Sequence, residues 1–369
     1  MNIGKALPPA AWTLPVRPRI TAVAKPLFTG TMAKRGLATT SEVKPPSVRR
    51  LDFSGFLNGD EKKQAQFCGD LVDALCTEGF VKLRNHGIDQ ESIDKVFAWN
   101  KRFFDLPLEA KNVAAHPEQP NPHRGYSYIG QEKLSRVKDF EKGVRDSVQV
   151  HDIKESYDQG PPNDEMYPNR WPEDKVIPGF RPFMESFYDK CHNVHLNLLR
   201  ALGTGLGLGP ARLESLCNVN TSELRLNHYP ACATSQIRAG AMRISEHTDF
   251  GTVTLLFQDS QGGLEIEDQK NPGSYFPIMP EGKYEMIINI GDCLQLWTNK
   301  RLRSTSHRVV TPPIAGHWLP SRYSVAYFAK PNRDQSVAPL PELLKDGETS
   351  QYKDITAWEY NQQKLTRTY

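Results

Sequence analysis

Residues 245–259 read Ser-Glu-His-Thr-Asp-Phe-Gly-Thr-Val-Thr-Leu-Leu-Phe-Gln-Asp. The stretch opens on a polar pair, His247 and Asp249, and passes directly into a β-branched, apolar run. Side chains two apart on an extended chain face the same way, so an imidazole and a carboxylate project together where a strand begins. Such a pair is either two ligands of a metal site or an ordinary hydrogen-bonded couple. The surrounding sequence has to separate the two readings.

On either side of this stretch, short runs of period two follow one another at 224–229, 252–258, 264–267, 285–290, 293–297, 307–310 and 322–328. Gly262-Gly263, Asn271-Pro272-Gly273, Gly291-Asp292 and Pro312-Pro313 punctuate them. Closely spaced strands without intervening helices predict an antiparallel sandwich or barrel. Further toward the N-terminus the period changes to 3.6. Phe67, Leu71, Val72 and Leu75 predict a helix over 62–78 that Gly79 stops. A strand follows at 80–84, then a turn at Asn85-His86-Gly87 in which His86 is a turn residue rather than a ligand. Ile93, Val96, Phe97 and Phe103 place a second helix at 91–104. Phe183, Phe187, Cys191, Val194 and Leu198 place the longest one at 180–206. Gly203, Gly205 and Gly207 end it without the strand before or the Lys-Ser/Thr after that a phosphate loop requires.

Residues 113–172 read as irregular, polar and aromatic, the pattern of a lid or an excursion across the body. A closing helix with Trp358 and Tyr360 is expected over 349–367. The fold class is therefore α+β, with a mostly helical N-terminal half. The expected organisation is a basic tail or presequence at 1–50, a helical region at 51–210, a β-rich core at 211–340 and a C-terminal helix at 341–369.

No apolar run approaches the ~20 residues of a membrane span. The six cysteines are scattered, which argues against a disulfide framework or zinc knuckle and for a reducing intracellular compartment. The formal charge of +3 conceals an asymmetry: residues 1–50 hold nine Lys/Arg against Glu42 alone, a surplus of eight, which leaves −5 on the rest. A mildly acidic body gives no reason to expect nucleic acid as a partner. The basic tail, with Arg35-Gly36-Leu37-Ala38 resembling a processing site, would fit a mitochondrial presequence, although five prolines between Pro8 and Pro26 oppose the helix such segments form. A cytoplasmic location is the simpler expectation.

His307 lies 58 residues beyond Asp249 and opens another strand. Two His and one carboxylate on neighbouring strands form a facial triad, which leaves three positions open on an octahedral metal. A closed zinc site would want a fourth ligand, and none is placed for it. Glu246, the adjacent acid, alternates away from the pair and makes a poor general base, which counts against a metallohydrolase. Arg322 and Ser324 share one strand face, and a guanidinium beside a hydroxyl makes a carboxylate clamp. Buried there, an unpaired Arg implies an anionic partner.

At these residues the chain resembles the isopenicillin N synthase-like family of non-haem iron(II) and 2-oxoglutarate-dependent dioxygenases. His247-x-Asp249, His307 and Arg322-x-Ser324 match its signature in order and approximate spacing. Leu226-Asn227-His228-Tyr229-Pro230, Gly262-Gly263-Leu264-Glu265, Asn289-Ile290-Gly291-Asp292 and Ser306-His307-Arg308-Val309 are similar to its later blocks. Gly79-Phe80-Val81, Asn85-His86-Gly87, Arg124-Gly125-Tyr126 and Lys154-Glu155 resemble earlier ones, so the likeness covers roughly residues 50–340.

The resemblance implies a distorted double-stranded β-helix (jelly roll) flanked by helices. It makes His247, Asp249 and His307 the catalytic Fe(II) ligands. Arg322 and Ser324, with Asn227 and Tyr229, would bind 2-oxoglutarate. O2 is the oxidant and ascorbate a candidate reductant. Hydroxylation, desaturation or ring formation on a small organic substrate, a specialised metabolite, is the implied activity of what is expected to be a monomer. Tyr126, Arg243 and Phe328 are candidate pocket residues. Two alternatives stay open at this level: an Fe(II) oxidase of the same family that keeps Arg-x-Ser without using 2-oxoglutarate, and a catalytically silent jelly-roll binding protein.

Overall fold

The helices form where caps and apolar stripes coincide. In the computed structural model the first element, β1 (Arg50–Asp52), leads into the short α1 (Ser54–Leu57) and then α2 (Glu61–Glu78). Asp60 caps α2 by accepting from Lys63 N at 2.9 Å, and the helix stops at Gly79, whose φ of 71° suits glycine. A Cβ on Gly79 would lie 2.5 Å from Arg303 O, so this stop also lets the chain approach the segment leading to His307. After β2 (Phe80–Arg84), Asp89 caps α3 (Gln90–Phe104), and α4 (Leu108–Asn112), β3 (Gly125–Ser127), β4 (Glu155–Gln159), α5 (Phe180–Gly205) and α6 (Pro210–Ser215) follow.

The second half is mostly strand: β5 (Glu223–Tyr229), β6 (Cys232–Ala233), β7 (Ile244–His247), β8 (Val253–Gln258), β9 (Leu264–Glu267), β10 (Tyr275–Pro277) and β11 (Met286–Ile290). Then come α7 (Asp292–Trp297), β12 (His307–Val309), β13 (Trp318–Leu319), β14 (Arg322–Phe328) and α8 (Ala357–Thr368).

The structure describes residues 47–117, 119, 122–132, 153–236, 242–279, 281–312, 316–350, 352 and 354–368. The basic tail, with its processing-site resemblance, lies outside the described residues apart from its last four positions, as do 133–152 of the expected irregular stretch and Pro313. Residues 46–369 form one compact unit. No helix among the described residues is long and apolar enough to cross a membrane.

Eight strands join in the order β1-β2-β11-β8-β14-β5-β4-β3, and four in the order β10-β9-β12-β7. Strand alternation gives the large sheet two buried faces. Val81, Leu255, Phe257, Ile288, Val325 and Tyr327 pack with Leu71, Leu75, Phe187 and Leu198 of α2 and α5. On the opposite face Phe80, Tyr229 and Ile287 meet Ile244, Leu264, Ile266 and Val309 of the small sheet. Each fully buried side chain of this kind is worth about 1.5–3 kcal/mol, so both layers are anchored by apolar contact rather than by strand pairing alone.

Three expectations change. Residues 293–297, read as a strand, form the helix α7: the Leu294/Leu296 alternation is real, but Cys293, Leu294, Leu296 and Trp297 are all buried, and so short an apolar run carries no decisive period. The stretch 113–172, read as irregular, contributes β3 and β4 to the large sheet, all of whose residues are buried. Its charged side chains hid a core strand because Glu155 and Asp158 are ion-paired rather than solvated. The closing helix begins at Ala357 rather than near 349.

Residues 245–259 themselves do not lie on one sheet. β7 belongs to the small sheet and β8 to the large one, so residues 248–252 cross between the layers.

Candidate active site

That crossing builds the site. His247 ends β7 directly opposite His307, the first residue of β12, and their imidazole centroids are 4.4 Å apart. Asp249 sits just beyond, in the crossover. Its Oδ1 is 3.8 Å from Nε2 of each histidine. The Nδ1 atoms point elsewhere: that of His247 reaches Ser245 O at 2.8 Å and that of His307 reaches Thr305 O at 3.2 Å. A carbonyl only accepts, so Nδ1 carries a proton in both rings and Nε2 is the atom turned toward Asp249. The second carboxylate oxygen of Asp249 accepts from Thr254 Oγ1 at 2.6 Å and Asn289 Nδ2 at 2.7 Å. Three free donor atoms therefore converge within 4.8 Å of one another.

Electrostatics agree with the geometry. Burial, aided by the neighbouring His307, pushes His247 down to about 4, so the ring is neutral at physiological pH. Burial alone would raise Asp249, but positive charge on the His307 and His247 rings when they are protonated, with the hydrogen bonds from Thr254 and Asn289, outweighs it and holds the carboxyl below its ordinary range. Two imidazole nitrogens and one carboxylate oxygen fit a divalent first-row metal with open positions, and the outer partners hold each group in orientation.

On the face of the large sheet that meets the small one, Arg322 is buried on β14 against Tyr229. Its Nε donates to Gly262 O at 2.9 Å, Nη2 to Gln258 Oε1 at 2.9 Å and Nη1 weakly to Ser324 Oγ at 3.4 Å. The guanidinium lies 4.7 Å from the Tyr229 ring centroid. All these partners are neutral, and no described carboxylate forms an ion pair with Arg322. Asn227 donates to Ser324 Oγ at 3.3 Å, while Asn227 Oδ1 and Gln258 Nε2 have no hydrogen-bond partner among the described residues. The guanidinium is thus a buried cation without a counter-ion among the described residues, beside two unused polar atoms, an arrangement that can accommodate an anion.

The candidate pocket residues separate. Phe328 shares the inner face with Arg322 and Ser324, 5.7 Å from the Arg225 guanidinium. Arg243 is buried beside the clamp, 5.6 Å from the same Tyr229 ring, and donates to Pro320 O. Tyr126 does not line the inner face: it is in register with Tyr157, faces the helices, and donates its hydroxyl to Glu155 at 2.7 Å. A strand flanked by Gly125 and Ser127 turns those neighbours inward and Tyr126 outward.

His86 is held by Tyr284 O and Ile88 N, as a turn residue. Glu246 turns away from the cluster to pair with Arg308. The sequence reading missed Thr254, Asn289, Gln258 and Gly262. Asn289 had a signal: a lone amide in Met-Ile-Ile-Asn-Ile, where a buried strand tolerates one only for a partner.

A second group, His123, Glu132 and Asp158, also meets metal spacing. Here Arg225 reaches both carboxylates at 2.7 Å and Lys154 reaches Glu132 at 2.7 Å. Those acids are already neutralised, so the group is an ion-pair network rather than a ligand set.

Comparison with known proteins places the chain. A "non-haem dioxygenase in morphine synthesis N-terminal" region matches residues 48–174, and the "2OG-Fe(II) oxygenase superfamily" matches 220–331. The chain belongs to the 2OG-Fe(II) oxygenase superfamily. As a 2OG-Fe(II) oxygenase it is an oxidoreductase, a dioxygenase that takes Fe(II), 2-oxoglutarate and O2. It is 62% identical over 322 residues to a 2-oxoglutarate-Fe(II) type oxidoreductase of Metarhizium rileyi, covering 87% of this chain and 91% of that one. It is 51% identical over 324 residues to a proline hydroxylase of Petromyces alliaceus, covering 87% and 99%. Among solved structures, a full-length Neurospora crassa protein crystallised in complex with alpha-KG and thymine superposes with a TM-score of 0.78 at 34% identity, over 87% of this oxygenase and 97% of that chain.

Proposed function

We propose that His247, Asp249 and His307 are the Fe(II) ligands of this oxygenase, and that Arg322, Ser324, Asn227 and Tyr229 hold 2-oxoglutarate. The observation that carries the reading is the convergence of three lone-pair atoms whose other polar atoms are already engaged. Bound there, Fe(II) with 2-oxoglutarate and O2 supplies the oxidant, one oxygen atom leaving in succinate beside CO2 and the other available to the substrate. The chain's own residues do the rest. Ser245 O and Thr305 O fix the imidazole planes, while Thr254 and Asn289 fix the carboxylate. Arg322 fixes the far end of the cosubstrate, and the two apolar layers keep water from the centre.

The substrate is read as a small organic molecule undergoing hydroxylation at a C–H bond. An amino acid of the proline type is the first to test, supported by the 51% identity to a proline hydroxylase. The order β5-β14-β8-β11 facing β7-β12-β9-β10, with the chain passing repeatedly between sheets, supports a distorted jelly roll in 211–340. Residues 51–210 would then act as its brace and 341–369 as its closing segment. Six free cysteines support a reducing cytoplasmic setting, and a ligand set drawn from one chain supports a monomer.

The test is anaerobic addition of Fe(II) and 2-oxoglutarate, followed by the visible charge-transfer band of the chelate. Wild type shows it and His307→Ala loses it; a full-strength band in that variant overturns the ligand assignment. With O2 and L-proline, hydroxyproline and succinate should form in equal amounts. Turnover without succinate would remove the cosubstrate role of the clamp, and absence of any proline-dependent turnover would remove the substrate assignment.

A further inference from the structure

The crossover that carries Asp249 is gripped from a direction the chemistry does not use. Gly291 N donates to Thr252 O at 2.8 Å, Asp292 N to Asp249 O at 2.8 Å and Cys293 N to Gly251 O at 2.9 Å, so the start of α7 holds the backbone of 248–252. The approach is close: a Cβ on Gly291 would fall 2.4 Å from Gly251 O. The Asp292 carboxylate then turns outward to the end of the chain. Its Oδ2 accepts from Lys364 Nζ at 2.5 Å, from Tyr360 OH at 3.0 Å and from Thr248 Oγ1 at 3.3 Å. Lys364 and Asp292 are each only 2% exposed, and the ammonium lies 5.1 Å from the ring of Phe250, the residue after Asp249. One buried carboxylate thus joins α8, α7 and the crossover.

We propose that Lys364 and Tyr360 are positioning residues for Asp249: the C-terminal helix, acting through Asp292, sets the conformation of 248–252 and with it the affinity for Fe(II). The inference rests on the assignment of Asp249 as a ligand. A buried ion pair contributes little net stability compared with an apolar pair of the same shape, because desolvation offsets most of its attraction. What such a pair does is admit only one relative placement of the two elements that carry it. A terminal helix would otherwise be among the first parts of the chain to fray. Here its first and middle turns, at Tyr360 and Lys364, are tied to the residue before the ligand, through Thr248, and to the ligand's own carbonyl, through the Asp292 backbone.

The experiment measures Fe(II) affinity anaerobically by chelator competition in full-length protein, with melting temperature and amide exchange of 248–252 recorded on the metal-free form. Lys364→Met should weaken Fe(II) binding about ten- to a hundredfold, as loss of an outer-layer partner does at metal sites. It should also speed exchange of 248–252. Tyr360→Phe, which deletes one hydroxyl, should weaken binding roughly three- to tenfold. Leu198→Ala, a buried change on α5, serves as the stability control and should leave Fe(II) affinity within about twofold while lowering the melting temperature.

Unchanged affinity in folded Lys364→Met, or an equal loss in Leu198→Ala, overturns the proposal. If Lys364→Met does not fold, Tyr360→Phe decides it by the same criterion. Asp249→Ala, run in parallel, keeps the two readings apart: retained affinity there removes the ligand assignment itself, whereas lost affinity there with none lost in Tyr360→Phe or Lys364→Met removes only the role of α8.

Discussion

Replacing Arg322 by Met tests the cosubstrate clamp. A guanidinium has five N–H donors. In this protein Nε, one hydrogen of Nη2 and, weakly, one of Nη1 are engaged by Gly262, Gln258 and Ser324. One hydrogen on each terminal nitrogen remains, and two such N–H groups are what a carboxylate accepts from a guanidinium. Each charge-assisted hydrogen bond contributes about 1.5–3 kcal/mol net. Losing two would cost about 3–6 kcal/mol if nothing compensated. Ser324 and Tyr229 stay in place, so the lower end of that range is expected, on the order of 3 kcal/mol, or roughly a hundredfold in Kd. Arg322→Lys keeps the charge and loses the fork, which should leave a deficit of roughly tenfold. The assay is anaerobic titration of the charge-transfer band with 2-oxoglutarate at saturating Fe(II), which reads cosubstrate binding without turnover. A Kd for Arg322→Met within about threefold of wild type would refute the clamp, and with it the argument that this guanidinium awaits an anion.

Other outcomes follow from neighbouring features. Asn289→Ala removes one of the two donors that hold Asp249 Oδ2, and Fe(II) affinity should fall about ten- to a hundredfold with the fold intact, read by chelator competition. Gly79→Ala places a Cβ within 2.5 Å of Arg303 O at a φ of 71°, so thermal unfolding should show a loss of at least about 1 kcal/mol. Glu223 is buried, which alone would raise its pKa, but Lys330 and Arg124 hold it down to about 2. A depressed folded-state pKa contributes stability above the unfolded value and loses it as pH falls through the window from about 4.5 toward 2. Glu223→Gln should therefore be less stable than wild type near pH 7, by an order of 3 kcal/mol, and the gap should close toward pH 2 in denaturant titrations.

The candidate ligands stand out in the sequence because their chemistry is rare and their spacing follows the strand period. His247, Asp249 and His307 meet in space, and Arg322 and Ser324 share a face, as alternation requires. What holds those groups was not readable. Thr254 and Gln258 are unremarkable in Thr-Val-Thr-Leu-Leu-Phe-Gln, and only the pairing of β8 with β11 and β14 brings them to Asp249 and Arg322. β4 was invisible for the opposite reason. Glu155 and Asp158 look solvated, and their burial depends on partners as distant in sequence as Lys111, His228 and Arg225. Periodicity reports a face turned to oil or water; it has no signature for a face turned to other charges.

The passage of 248–252 between layers has a mechanical consequence. Two of the three donor atoms belong to the small sheet, and the third is pinned by Thr254 and Asn289 of the large one. An ion seated among them would act as a rivet through both sheets. Occupancy should then register as a rise in melting temperature that grows with the logarithm of free metal over its Kd. Thermal shift would thus rank metals and cosubstrate analogues for this protein before any substrate is in hand.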